Sequence, residues 1–256
     1  MTTQPKPVVA EGLTKVFDGN VAVNALDLVV DRGEFFGFLG PNGAGKTTSI
    51  RMMVGLLRPT SGSVWICGYD VLDQPIEVKR RIGVLPEELN LYERLTGSEY
   101  LSFSARMYGL APTEADKRIE ELLDLMGLRE DQDKLIVEYS HGMQKKVALA
   151  AALLHDPEVL FLDEPFSGID AISGRAIRDV LRLMTQRGRT IVFCSHVLEV
   201  VEHLCTRVAI LHQGNLVGIG DLATLRQKSH TEGSLEDVFL ALVGAKTDAE
   251  GLSWLR

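Results

Sequence analysis

An α/β fold with a parallel sheet at its centre is predicted for this 256-residue chain by three observations. Short apolar runs of β type alternate with helical periodicity nearly throughout, as in sheets whose parallel strands return through helices. One such run, Glu34-Phe35-Phe36-Gly37-Phe38-Leu39, leads directly into Gly40-Pro41-Asn42-Gly43-Ala44-Gly45-Lys46-Thr47, which fits the phosphate-cradling pattern G-x-x-x-x-G-K-[ST]. Val159-Leu160-Phe161-Leu162 places four apolar residues in succession, the mark of a strand buried on both faces.

The elements follow in chain order. Residues 8–13 and 21–30 flank the turn residues Asp18-Gly19-Asn20, predicting an antiparallel strand pair ahead of the phosphate loop. After the strand at 34–39 and the loop, a helix over 45–57 carries Ile50, Met53, Val54 and Leu57 on one face and stops at Pro59. Strands are predicted at 63–66 and 82–85. Residues 96–128 are helical with no intervening strand; Thr113 with Asp116 has capping-box spacing, and Ile119, Leu122, Leu123 and Met126 recur at helical intervals. A further helix opens at Ser140, with Val147, Leu149, Ala150 and Leu153 in its pattern. Strands resume at 159–162, 190–194, 208–211 and 216–219, residues 234–243 form a last helix, and 245–256 a tail. The expected organisation is one domain over 1–244, with a helical subdomain at about 96–156 inserted in the α/β core.

Composition narrows the function classes. With 45% hydrophobic residues the chain can build a sizeable core. Its longest unbroken apolar stretch, 147–154, is eight residues, far short of the roughly 20 that a membrane-spanning helix requires. The opening Met1-Thr2-Thr3-Gln4-Pro5-Lys6-Pro7 has no apolar core of the signal-peptide kind, so a cytoplasmic location is expected. Cys67, Cys194 and Cys205 are not spaced as metal pairs and read as reduced core residues. Net charge is −8 and the longest basic run is Lys79-Arg80-Arg81, which predicts no nucleic-acid partner.

The glycines of 40–45 let the backbone curl until successive N–H groups face one anion, and the helix opening at Gly45 adds its positive dipole end. Lys46 then reaches the β and γ phosphates of ATP or GTP, Thr47 offers a hydroxyl to Mg²⁺, and Thr48 faces the α phosphate. A P-loop NTPase core is therefore expected. Such a core also needs a carboxylate for the metal, and Asp163-Glu164 ends the apolar strand 159–162. Carboxyl ends of parallel strands line the ligand crevice, so Asp163 is predicted to hold the metal through water and Glu164 to polarise the attacking water.

From Phe17 to Gly244 the chain resembles the nucleotide-binding subunit of an ABC transporter, an ATPase. The resemblance is carried in order by Phe17, at the place of the ring that stacks on adenine, and by 40–48 as Walker A. Glu87 in Leu85-Pro86-Glu87-Glu88 follows at the Q-loop position, then Tyr139-Ser140-His141-Gly142-Met143 at the signature segment. Glu164 at the Walker B carboxylate, Ser167-Gly168-Ile169-Asp170 at the D-loop and His196 at the switch histidine complete it. The resemblance implies ATP and Mg²⁺ as cofactors, with Thr47, Glu87 and Asp163 toward the metal and Glu164 and His196 as catalytic residues. It also implies a head-to-tail homodimer or heterodimer in which Ser140 and Gly142 of one subunit close over the ATP of the other. The partner would be an integral permease, with the ATPase peripheral on the cytoplasmic face of the membrane. Leu91, Tyr92 and Leu95 are candidate permease contacts.

Three departures refine this expectation. A glutamate replaces the usual Q-loop glutamine, and Glu88 beside it leaves open which of the two carboxylates takes the role. His141 and Met143 replace a glycine and a glutamine of the signature, while Ser140 and Gly142 remain. These segments, with Ser234-Leu235-Glu236-Asp237-Val238-Phe239-Leu240, are similar to ATPases of type-two ABC exporters, which implies a motor for export. Two alternatives stay open at this level: an ABC ATPase outside transport, and an ATP-binding regulatory subunit.

Overall fold

The computed structural model describes residues 4–195 and 197–244, so His196 and the tail 245–256 lie outside the described residues. The fold is α/β, with one antiparallel and one mainly parallel sheet. Strands β1 (Val8–Phe17) and β2 (Asn20–Val30) form the expected pair, with Val8 opposite Val30 and Phe17 opposite Asn20. Strand β3 (Phe35–Leu39) crosses into the second sheet, whereas β4 (Ser61–Ile66) returns to pair with β1 and then with β5 (Tyr69–Asp70). The first sheet therefore runs β2-β1-β4-β5. The second sheet adds β6 (Ile82–Leu85), β7 (Val159–Asp163), β8 (Thr190–Cys194), β9 (Arg207–His212) and β10 (Asn215–Gly220). Its order is β10-β9-β3-β8-β7-β6, parallel except for β10 at one edge.

Every residue of β3, β7 and β8 is buried, as the apolar run at 159–162 predicts. The pleat sends alternate side chains to opposite faces, and the core divides accordingly. Phe36, Phe38, Phe161 and Val192 pack toward the antiparallel sheet and the helix after the phosphate loop. Phe35, Leu160, Leu162 and Phe193 pack toward the remaining helices, with Phe35 and Phe193 edge to face at 5.8 Å. Burying each such side chain is worth about 1.5–3 kcal/mol. Cys67 and Cys194 are buried among these residues, and burial pushes the Cys67 thiol up to about 11.

Helix α1 (Lys46–Met53) is shorter than its apolar periodicity implies. Gly55 takes a left-handed conformation, and the N–H groups of Leu56 and Leu57 turn back to the Arg51 carbonyl at 2.8 and 3.0 Å. These bonds satisfy the end of the helix before Leu57 or Pro59 is reached. A short helix α2 (Pro75–Lys79) precedes β6. Helices α3 (Gly97–Met107), α4 (Pro112–Leu125) and α5 (His141–Leu153) occupy the stretch predicted to be helical.

The expected capping box of Thr113 with Asp116 does not form. Helix α4 starts at Pro112 with Ala111 at its cap and no side-chain cap bond. Proline at the first helical position holds φ near the helical value and lacks an N–H that would need a partner, so the helix opens before Thr113. Capping boxes instead join Thr96 to Glu99 on α3 and Ser234 to Asp237 on the last helix. The helical stretch is tied to the sheet by His155, whose ring stacks on Tyr108 at 3.6 Å and whose Nε2 lies 2.9 Å from the Ile82 carbonyl. Helices α6 (Ala171–Gln186), α7 (Leu198–Leu204), α8 (Leu222–Ser229) and α9 (Leu235–Val243) complete the described chain. Among the described residues no helix is long and apolar enough to cross a membrane.

Candidate active site

The phosphate loop leaves the carboxyl end of β3, and the parallel strands β8, next to it, and β7, next to β8, end on the same side. Gly45 caps α1 at φ 103, and a Cβ there would lie 2.5 Å from the Ala22 carbonyl oxygen, so only glycine fits this bend. The loop is anchored from both sides: the Ala44 N–H donates to Pro41 O at 3.1 Å, and Gly214 N–H donates to Ala44 O at 3.1 Å. Lys46 is buried, and its Nζ donates to the Gly40 and Pro41 carbonyls at 2.7 and 3.1 Å. Its ammonium therefore lies across the loop with the free N–H groups of the helix start beside it, a concentrated positive field.

Asp163 is the last residue of β7 and is 3% exposed. Burial holds its carboxyl above the ordinary range, and a hydrogen bond from Thr47 opposes that shift, as Lys46 does more weakly. Glu164 follows in a left-handed conformation at φ 49, with its N–H bonded to Cys194 O at 3.0 Å. Its Oε2 accepts a 3.2 Å hydrogen bond from the buried Ser195 hydroxyl. A strand that ends at Asp163 and turns sharply at the next residue brings two adjacent acids to the same opening.

Phe17, Asn42, Gly43, Ala44, Gly45, Lys46, Thr47, Thr48, Glu87, Asp163 and Glu164 all line one cleft of about 1010 Å³. Phe17 is 44% exposed at the end of β1 rather than packed in the hairpin core, with the Lys15 ammonium 5.0 Å from its ring centre. Glu87 lines the cleft, while the Glu88 carboxylate reaches Arg51 at 3.5 Å and is 80% exposed. Ser140 and Gly142 do not line this cleft. Ser140 caps α5, accepting from the Met143 N–H at 3.3 Å, and is exposed. Gly142 packs on the turn after β7, where a Cβ would lie 2.5 Å from Gly168 O.

Three residues at the site were not among those predicted from sequence, two lining the cleft and one, Ser195, behind it. Ser195 holds the Glu164 carboxylate. His141 and Lys145 reach the cleft from α5, and Lys145 Nζ donates to Glu164 O and Ser167 O at 2.6 and 3.2 Å. Burial lowers the Lys145 pKa, opposed by Glu164, Glu87 and Asp163. One sequence signal points to it: Lys145 lies four residues before Leu149, on the buried face of a helix otherwise lined by apolar residues. A charge in such a stripe requires partners. Lys146 beside it reaches Asp170 at 2.9 Å, and Asp170 caps α6 through the Ser173 N–H; these contacts hold its carboxyl well below the usual range.

Residues 23–167 match the ABC transporter family. The ABC transporter ATP-binding protein NatA of Bacillus subtilis is 40% identical over 221 residues, covering 86% of this chain and 89% of that protein. The daunorubicin/doxorubicin resistance ATP-binding protein DrrA of Streptomyces peucetius is 38% identical over 227 residues, 88% of this chain and 69% of that one. Among solved structures, the dimeric post-hydrolysis state of the ATP-binding cassette MJ0796 bound to ADP and Pi superposes with a TM-score of 0.77. It is 26% identical and covers 84% of this chain and 98% of its own.

Proposed function

The chain belongs to the ABC transporter family of ATP-binding subunits, and on that premise we propose that it is the ATP-hydrolysing motor of an exporter, acting as a head-to-tail dimer on a separate permease. The observation that carries the reading is the convergence of Lys46, Thr47, Glu87, Asp163 and Glu164 on one cleft at the carboxyl ends of β3 and β7. ATP sits with its phosphates on the loop of 40–48 and its base against Phe17. Glu164, oriented by Ser195, accepts the proton of the attacking water. His196 contacts the γ phosphate in this reading. The relative with a drug-resistance name and the exporter-like segments at 85–88, 139–143 and 234–240 favour export.

The donor set suits Mg²⁺. The Thr47 hydroxyl, Asp163 and Glu87 are hard oxygen ligands, and Mg²⁺ in phosphoryl-transfer sites takes one or two carboxylates together with substrate phosphates and water. Bound there, Mg²⁺ would neutralise charge on the phosphate oxygens.

Glu87 puts a carboxylate at the position where the resemblance places the usual Q-loop glutamine. Two unit charges 4 Å apart interact by about 4 kcal/mol at an effective dielectric of 20. Glu87→Gln is therefore expected to raise the Mg²⁺ concentration for half-maximal ATPase activity while hydrolysis persists, since Thr47, Asp163 and Glu164 remain. The test is a Mg²⁺ titration of both proteins, alone and with the permease in vesicles. Superimposable curves in both settings remove Glu87 from the metal and coupling roles.

Composite sites give the dimer a direct test. Ser140→Arg and Lys46→Ala subunits are each expected to be nearly inactive alone. Mixed, they place both substitutions in one site and leave the other with an intact Lys46 and an intact Ser140. ATPase activity of the mixture should exceed the sum of the separate proteins; equality would eliminate sites shared between subunits. The permease is expected at the groove of about 240 Å³ beside Leu91, Tyr100 and Tyr108, where exposed Tyr92 packs edge to face with Phe103 at 5.3 Å.

A further inference from the structure

Lysine tolerates burial poorly, yet Lys145 keeps only 2% of its surface in α5. A buried ammonium persists where its donors find acceptors. Those acceptors are the Glu164 carbonyl at 2.6 Å and the Ser167 carbonyl at 3.2 Å. Both belong to the turn leaving β7, whose first residue, Glu164, holds a left-handed backbone at φ 49. A non-glycine residue keeps that conformation when its surroundings enforce it. Two more contacts press the same turn onto α5: the close approach of Gly142 to Gly168 O, and the 2.9 Å pair of Lys146 with Asp170.

We propose that Lys145 is a positioning residue for ATP hydrolysis, its ammonium fixing the backbone of the Glu164–Ser167 turn and through it the aim of the Glu164 carboxylate. The proposal rests on reading Glu164 as the base that activates water. The Glu164 carbonyl accepts from the Ser167 N–H at 3.3 Å within the turn and from Lys145 across it. Removing the second donor frees the peptide that follows Glu164 to rotate. Ser195 holds the carboxylate from the other side, so side chain and backbone of one residue are fixed from two directions. Lys145 lines the cleft and, like Lys46, donates to two backbone carbonyls; those of Lys46 belong to the phosphate loop, whereas those of Lys145 belong to the turn that carries Glu164.

The test compares Lys145→Met, Lys145→Gln and Lys145→Arg with the parent and with Glu164→Gln, using the full chain. Steady-state ATPase, calorimetric ATP affinity and thermal melting are measured for each. A misplacement of about 1 Å at a reacting group can cost about 10²-fold in rate, and Lys145→Met is expected to lose kcat on that scale with ATP affinity within about twofold. Lys145→Arg keeps the charge and the donors and should recover kcat over the methionine variant at equal melting temperature. Parental kcat in Lys145→Met overturns the proposal, as does a parallel fall of kcat and ATP affinity, which would mark a phosphate contact or general unfolding. Should Lys145→Met fail to fold, the ordering of Gln below Arg in kcat, at constant affinity, decides the matter; equal kcat in both overturns it. Glu164→Gln separates the two readings. An inactive Glu164→Gln beside a fully active Lys145→Met sinks the positioning role alone, whereas a fully active Glu164→Gln removes the base assignment itself.

Discussion

Glu164→Gln is expected to bind ATP as the parent does and to hydrolyse it roughly 10²- to 10⁴-fold more slowly, the range that a positioned base contributes. The substitution is nearly isosteric. The amide oxygen can still accept the Ser195 hydrogen bond made to the native carboxylate, and the backbone bonds from Lys145 and to Cys194 involve no carboxylate atom. On the proposed role of Glu164, what is lost is the basic oxygen that takes a proton from water. Because the nucleotide is then retained, the variant should also accumulate an ATP-bound dimer. Single-turnover hydrolysis, nucleotide calorimetry and light scattering with ATP check the three statements. Parental turnover would transfer the base role to another group of the cleft, with Glu87 the first to examine.

Lys46→Ala is expected to weaken ATP binding by roughly 10- to 100-fold, since a hydrogen bond to a charged group is worth about 1.5–3 kcal/mol. The loss is specific to the phosphates. Lys46 supplies the positive charge of the loop, and its ammonium donates to the Gly40 and Pro41 carbonyls within that loop. Truncation also strips those carbonyls of their donor, so a small fall in melting temperature accompanies it. Calorimetry with ATP and with adenosine distinguishes the phosphate term from damage to the fold. Unchanged ATP affinity would displace the phosphate site from residues 40–48.

Much of the molecule is legible in local pattern. The strand before Gly40, the burial of 159–162 on both faces and the antiparallel pair around Asp18-Gly19 follow from periodicity and turn chemistry, and all appear in the fold. Element ends are read less well. Helix α1 stops at Met53 because a left-handed Gly55 satisfies its last carbonyls, and α4 opens at Pro112 because proline outcompetes a side-chain cap. In both cases backbone geometry decided between two residues that each carried a plausible signal.

The sequence by itself determined the chemistry on offer: a phosphate loop between a strand and a helix, two acids at a strand end, and an ordered set of segments sufficient to identify the family. Each of these is a short stretch whose function depends on neighbours in the chain. Tertiary structure alone decided how the stretches meet. Glu87 enters the cleft while Glu88 turns to Arg51, because consecutive residues of an irregular loop point wherever its φ and ψ angles direct them. Lys145 and Ser195 meet Glu164 from 19 and 31 positions away, a contact set by the strand order β3-β8-β7 and by the packing of α5 on the turn after β7. Pairings at that range depend on which elements lie side by side, and periodicity within one element carries no record of its neighbours.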